Sequence, residues 1–346
     1  MRLPGRRREG DAPVPAAAPR IPSLGNGISV PIVPADYPVL LESLRAEGLP
    51  PDEDGLLVDW SGVRTRVAML PWAPPELAGT TSTALPIPDD GYRSEASEYA
   101  ALARALRSAR GTFRIVEAGA GWAPWAVAGI VIGRRLGLQA QGVAVEADPD
   151  KAQWAMQHAR DNNVSVELIS GTPDEIAAVL GTPQQVELRV VQAAVWQERT
   201  TLQFPVLDGD DMGGAVWTLP GTDVDYRGAH VAHRDVPSVV MRDLLGPGGP
   251  GAPLVDLLHV DVQGLEFALL SATAGDVQDR TRLMAVGTHS RLTEGQLQDF
   301  FLSRGWGLLI DEPCTSVFTM THPTLQGFTV QDGNQLYENP FVIERA

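Results

Sequence analysis

A chain of 346 residues is long enough for one large α/β domain with a smaller cap, or for two modest domains. Hydrophobic residues make up 44% and charged residues 20%, the balance of a chain that buries a core, and a formal net charge of −16 argues against docking on nucleic acid or anionic lipid. Cys314 is the one cysteine, which excludes an internal disulfide and points to a reducing, cytoplasmic setting.

Residues 1–25 are rich in Pro, Ala and Arg and are expected to be disordered, because they carry too little apolar surface to offset the cost of ordering. Arg6, Arg7 and Arg8 are followed by proline and acidic residues, which is not a secretory signal. The longest apolar run, residues 122–132, falls short of the ~20 residues a spanning helix needs. Residues 26–92 read as a small cap for substrate contacts or subunit pairing into a homodimer. Its expected elements are a helix over 38–47 and a hairpin of 56–59 with 63–70 across Ser61-Gly62.

Residues 93–346 read as the main domain. A helix is expected over 94–108 with Ser94 as N-cap, then a strand over 113–117, a glycine turn, and a helix with Pro124 in its first turn. A strand over 141–146 leads to Asp148-Pro149, an N-cap and first helical residue, and a helix to about Asn162. Thr172 to Glu175 spells a capping box. Strands follow over 186–192, 200–205 and 254–261, with a helix from Leu265, a strand over 283–288 and a helix over 294–303. Residues 306–310 and 327–331 are expected to pair antiparallel. Strands alternating with helices imply an α/β fold, a doubly wound and mostly parallel sheet whose ligands bind at the carboxyl ends of its strands.

The first of these strand ends reads Glu117-Ala118-Gly119-Ala120-Gly121-Trp122. Gly119 and Gly121 allow a tight turn and a close approach to a ligand. Glu117, two residues before the first glycine, would repel a pyrophosphate but suits a cationic amino group, as in the methionine part of S-adenosylmethionine. Glu146 ends the next strand, where an acid can accept both hydroxyls of a ribose.

These segments, with Glu146-Ala147-Asp148-Pro149, residues 190–195 and the run from Asp256 through Asp261 and Gly264 to Glu266, occur in an order that resembles the FkbM family of S-adenosylmethionine-dependent methyltransferases. The resemblance covers residues 110–310. It implies a seven-stranded, Rossmann-like class I methyltransferase sheet and O-methylation of a hydroxyl on a sugar or natural product. It places Glu117, Gly119 and Gly121 at the methionine end, Glu146 at the ribose, and Gln192 and Ala193 near the adenine; Ala120, Trp122 and Ala147, beside these, are further candidate cofactor contacts. Asp261 would face the reacting centre. The chain departs from the family at His259, where Lys is usual, and at Gln263, where Glu is usual. Residues 164–183 look like an insertion.

A hydroxyl acceptor must lose its proton to a base or a metal. His289 ends the strand expected beside that of Asp261, and is the candidate base. His259 shares a face with Asp261. His259, Asp261 and His289 also form a possible metal set, and a magnesium ion held by Asp261 and a neighbouring acid is the metal alternative. Residues 208–235 form a long connection that could close over the acceptor. A nicotinamide-dependent oxidoreductase and a non-catalytic cofactor-binding protein share parts of this pattern.

Overall fold

The computed structural model describes residues 34–50, 53–207, 209, 211–216, 230–246, 253–318 and 324–343. The tail expected over 1–25 lies outside them.

The chain enters through α1 (Tyr37–Glu42). That helix stops short of residue 47 because the Ala46 N–H is given to the carbonyl of Trp60. β1 (Leu56–Val58) and β2 (Arg64–Arg66) form the expected hairpin, Val58 opposite Arg64, and β3 (Thr80–Thr81) adds in parallel to β1. Tyr37, Leu41, Leu44, Trp60 and Val63 bury themselves in the same apolar cluster as the helices of the main sheet. The N-terminal region thus shares this core through Tyr37 and Trp60, while Trp72 is half exposed.

α2 (Ala96–Ser108) follows, but Ser94 does not cap it. The Ser94 N–H and the N–H groups of Tyr92 and Arg93 converge on the Asp90 carboxylate instead. Then come β4 (Thr112–Ala118), α3 (Pro124–Arg135), β5 (Gln139–Glu146) and α4 (Pro149–Asp161). Asp148 caps α4 as expected, accepting from the N–H groups of Asp150 and Lys151. β6 (Val166–Ile169) and α5 (Pro173–Leu180), with the Thr172–Glu175 capping box, make up most of the expected insertion. β7 (Leu188–Gln192), β8 (Ala194–Trp196), β9 (Thr201–Pro205), β10 (His233–Val240) and α6 (Met241–Leu245) come next. The last stretch holds β11 (Val255–Val260), α7 (Glu266–Ala272), α8 (Ala274–Arg280), β12 (Thr281–Thr288), α9 (Arg291–Leu302) and β13 (Gly307–Glu312). β14 (Thr315–Ser316), β15 (Thr329–Gln331), β16 (Gly333–Glu338) and α10 (Pro340–Ile343) end the described chain.

Among the described residues the main sheet has eight strands in the order β13-β16-β12-β11-β4-β5-β7-β6, and β16 alone of these runs against the rest. This is the doubly wound, mostly parallel fold expected from the alternation of elements. Its eighth strand is the insertion: β6 pairs in parallel along β7, Val166 beside Leu188 to Ile169 beside Val191, and so extends the edge. β11 is buried along its whole length, as befits a central strand covered on both faces.

The end pairing differs from expectation. β13 pairs with β16, and residues 329–331 pair with β14. Burial decides this: Leu336 and Tyr337 of β16 enter the two large apolar clusters on opposite faces of the sheet, whereas Val330 is exposed. A second small sheet, β8-β10-β9, stands beside the ends of β5 and β7. Its strand β10 carries His233, Arg234, Asp235 and Pro237, a composition that hides a strand from sequence reading.

Candidate functional site

A cavity of about 330 Å³ opens at the carboxyl ends of β4, β5 and β11, with the small sheet as one wall. The glycine turn forms its floor. Gly119 has φ +78°, and a β-carbon there would stand 1.7 Å from the Asp261 carbonyl oxygen, so only glycine fits. The N–H groups of Gly119 and Ala120 both donate to the Val145 carbonyl, at 3.0 and 2.9 Å, and the Asp261 N–H donates to the Ala118 carbonyl at 2.9 Å. The turn is thus fastened to the strands on both sides. Ala123 then takes a left-handed conformation, φ 57° and ψ 52°, unusual for a residue with a side chain, and delivers Pro124 to the first turn of α3.

Glu117 is buried beneath the turn and caps α3: its two carboxylate oxygens accept from Trp125 N–H at 3.2 Å and Ala126 N–H at 2.7 Å. Burial pushes its pKa up to about 7. His259 lies beside it in the β4–β11 register, with Nε2 2.8 Å from a Glu98 carboxylate oxygen and its ring 6.0 Å from that of Trp125. Burial works against the charge of His259, but the Glu98 bond and the fields of Glu117 and Asp261 outweigh it and raise its pKa. Glu98 is itself raised by burial, against the pull of His259.

Glu146 accepts from Gly121 N–H at 2.7 Å on one oxygen and from Asp148 N–H at 2.7 Å on the other. Each oxygen keeps a second lone pair. Burial raises this carboxyl, too, to about 7. Ala147, Ala193 and Trp122 line the cavity, Trp122 backed by the His158 ring at 4.8 Å. Gln192 ends β7 opposite Glu146 and is not on the cavity wall.

At the far edge, His289 is buried between carboxylates. Its Nδ1 lies 3.0 Å from Glu266 Oε1, and its Nε2 lies 3.3 Å from Asp261 Oδ1 and 3.7 Å from Asp332 Oδ2. Glu266 Oε1 also accepts from Val262 N–H at 3.1 Å and Gly264 N–H at 2.8 Å, which fixes it in place. Burial disfavours the imidazolium, but Glu266 and Asp261 more than offset this and lift His289 to about 10. Asp261 and Asp332 face the cavity, and His289 stands behind them.

The fold brings Asp261 to His289 but takes His259 to Glu98, so the three do not converge. Among the described residues the cluster able to hold a metal is Asp261, Glu266 and His289, one donor atom of each within 4.8 Å of the others. A protonated His289, bonded to Glu266 through Nδ1, offers no lone pair, and magnesium prefers an all-oxygen shell. This donor set does not fit a magnesium ion.

Glu98, Asp332 and Arg93 also border the cavity, and none was singled out from the sequence. Glu98 sits in the first turn of a helix far upstream, and Asp332 arrives between β15 and β16. Only the tertiary fold brings them here. Glu266 had a signal, as the last acid of the segment from Asp256. In the long connection, Met212, Gly214 and Val216 line the cavity, while Trp217 and Tyr226 lie outside the described residues. No described helix is long and apolar enough to cross a membrane.

No family model matches the chain. It is similar to a protein of Jannaschia sp. (strain CCS1) named as a candidate methyltransferase, 28% identical over 271 residues that cover 76% of this chain and 87% of the relative. Among solved structures it is similar to methyltransferase FkbM from Methylobacillus flagellatus KT, with a TM-score of 0.36 and 12% identity over 70% of this chain. The match spans about half of that protein, 54% of its length. It is also similar to the C-terminal domain of precorrin-6Y C5,15-methyltransferase from Rhodobacter capsulatus, with a TM-score of 0.35 and 11% identity, covering 72% of this chain and 90% of that one.

Proposed function

We propose that the chain is an S-adenosylmethionine-dependent methyltransferase that acts on a hydroxyl of a small molecule, a sugar or a natural product. The observation that carries this reading is one cavity joining Glu146 and the glycine turn to the Asp261–His289–Glu266 chain. The spare lone pairs of Glu146 suit a ribose diol. The wall from Ala193 to Trp196 suits the adenine. Glu98 and Glu117 around His259 suit the ammonium of the methionine part.

The capping of α3 weighs against a nicotinamide cofactor. A pyrophosphate needs the free N–H groups at that helix start, and Glu117 already holds two of them.

Bound S-adenosylmethionine would supply the methyl group, whose bond to sulfur breaks as its bond to the acceptor oxygen forms. Asp261, which faces the cavity, takes the hydroxyl proton and passes it to Nε2 of a neutral His289. Glu266 stabilises the imidazolium so formed. In the resting protein His289 already holds this proton, so turnover requires its prior loss to solvent.

Calorimetry with S-adenosylhomocysteine on the wild type and on Glu146→Ala tests the cofactor. Micromolar binding that collapses in the variant supports the reading, and no binding by the wild type overturns it. Methyl transfer from labelled S-adenosylmethionine to a panel of hydroxylated acceptors then tests the reaction. Binding without transfer to any of them would return the chain to a cofactor-binding protein.

A further inference from the structure

Arg93 joins the N-terminal region to the cavity, with a side chain wholly shielded from solvent. Its Nη1 donates to Asp59 Oδ2 at 2.8 Å and to the Tyr99 hydroxyl at 3.2 Å, and its Nη2 donates to Thr65 Oγ1 at 2.9 Å. The other oxygen of Asp59 is fixed by the N–H groups of Ser61 and Val63 and by the Ser61 hydroxyl, so the arginine has a rigid anchor. The guanidinium carbon lies 5.7 Å from the centre of the Trp122 ring, beside the glycine turn. Yet the Nε donor, buried, has no hydrogen-bond partner. Other arginines among the described residues also have a buried Nε without a hydrogen-bond partner, but Arg93 is the one of these that lines the cavity.

Nε and Nη2 share one edge of the planar fork, the edge that receives both oxygens of a carboxylate. Two other basic residues line the cavity among the described residues. Lys151 donates to the Asp211 carbonyl and acts on Glu146, at the ribose side, and His259 is bound to Glu98. His259 also keeps a buried Nδ1 without a partner, beside Glu117, but Arg93 is the permanent cation of the three and offers a two-pronged edge.

We propose that Arg93 receives the α-carboxylate of the methionine part of the cofactor, next to Trp122, while the Glu117 side receives the ammonium. This rests on the cofactor reading above. It gives residues 56–93 a direct part in binding: Asp59 and Thr65 hold the arginine, and the arginine holds the ligand.

The test compares three ligands on two proteins by calorimetry: S-adenosylhomocysteine, its carboxamide, and 5′-methylthioadenosine, which lacks the amino-acid end. In the wild type, loss of the carboxylate should weaken binding roughly ten- to a hundredfold, the range for hydrogen bonds to charged groups. In Arg93→Lys that sensitivity should shrink several-fold, while 5′-methylthioadenosine binds both proteins alike. In the wild type, the Arg93 Nε resonance should shift with S-adenosylhomocysteine and stay still with 5′-methylthioadenosine, a readout that needs no variant to fold. Equal binding of acid and carboxamide, or an Nε signal indifferent to the carboxylate, overturns the proposal and leaves the cofactor reading standing. Failure of the wild type to bind any of the three removes the cofactor reading itself.

Discussion

A β-carbon on Gly119 would stand 1.7 Å from the carbonyl oxygen of Asp261. The glycine turn and the strand end at Asp261 therefore touch backbone to backbone, with no room for a side chain between them. Gly119→Ala combines this clash with a left-handed φ, a strain of roughly 1–3 kcal/mol by itself. It should destabilise the protein by about 3 kcal/mol or more and abolish S-adenosylhomocysteine binding. Gly121→Ala should cost less, since its β-carbon meets only the flexible end of Met212, at 2.8 Å. Urea unfolding of the two variants checks the ranking. Equal losses would show that the contact with Asp261 is not the constraint.

The buried acids set two opposing pH dependences. Glu117 and Glu146 are raised from 4.5 to about 7 by burial. A cationic amino group and ribose hydroxyl donors both favour the ionised carboxylates, so ligand affinity should rise with pH up to about 7, with proton release on binding below it. Stability without ligand should run the other way. A folded pKa above the unfolded one gives a contribution that is full below 4.5 and lost as pH rises through about 7. Calorimetry in buffers of different ionisation enthalpy measures the proton release. Melting curves of the wild type and Glu146→Gln measure the second effect, which should be weaker in the variant.

Asp148 links Glu146 to the helix behind it. Its N–H donates to Glu146, and its side chain accepts from Asp150 and Lys151 and pairs with Arg234 at 3.4 Å. Asp148→Ala removes the cap and the pair but keeps the N–H. The expected loss is about 1–2 kcal/mol in stability, with little change in cofactor affinity. A large loss of affinity at unchanged stability would instead place the Asp148 carboxylate in the binding site.

Signals that act over a few residues were readable in the sequence, the Ser94 cap excepted. The caps at Asp148 and Thr172, the Ser61-Gly62 hairpin and the alternation of strands and helices all depend on near neighbours, and the structure shows each of them. Choices made by long-range burial were not. The pairing of β13 with β16 over β15 depends on where Leu336 and Tyr337 find their clusters. In the site, Glu117, Glu146 and Asp261 could be named because they end strands. Glu98 and Arg93 could not, since what matters in them is a partner 161 residues away for one and a buried anchor at Asp59 for the other.

Glu266 gives the sharpest test of the proton chain. Its carboxylate lies 3.0 Å from His289 Nδ1 and is among the groups that lift His289 to about 10 against the effect of burial. Glu266→Gln keeps an oxygen for Val262 and Gly264 but removes the charge. The His289 titration, followed by NMR of the ring, should then fall by roughly one unit or more, each unit being about 1.4 kcal/mol. Because the folded pKa is raised, this histidine stabilises the wild type fully below pH 6.5, and the contribution fades as pH rises through about 10. The variant should lose that slope. If a neutral His289 receives the acceptor's proton, kcat/KM of the wild type rises with pH along an alkaline limb, and in Glu266→Gln the limb moves to lower pH while the plateau falls. A limb that stays in place while the NMR titration moves would separate His289 from proton transfer and leave Asp261 to act without it.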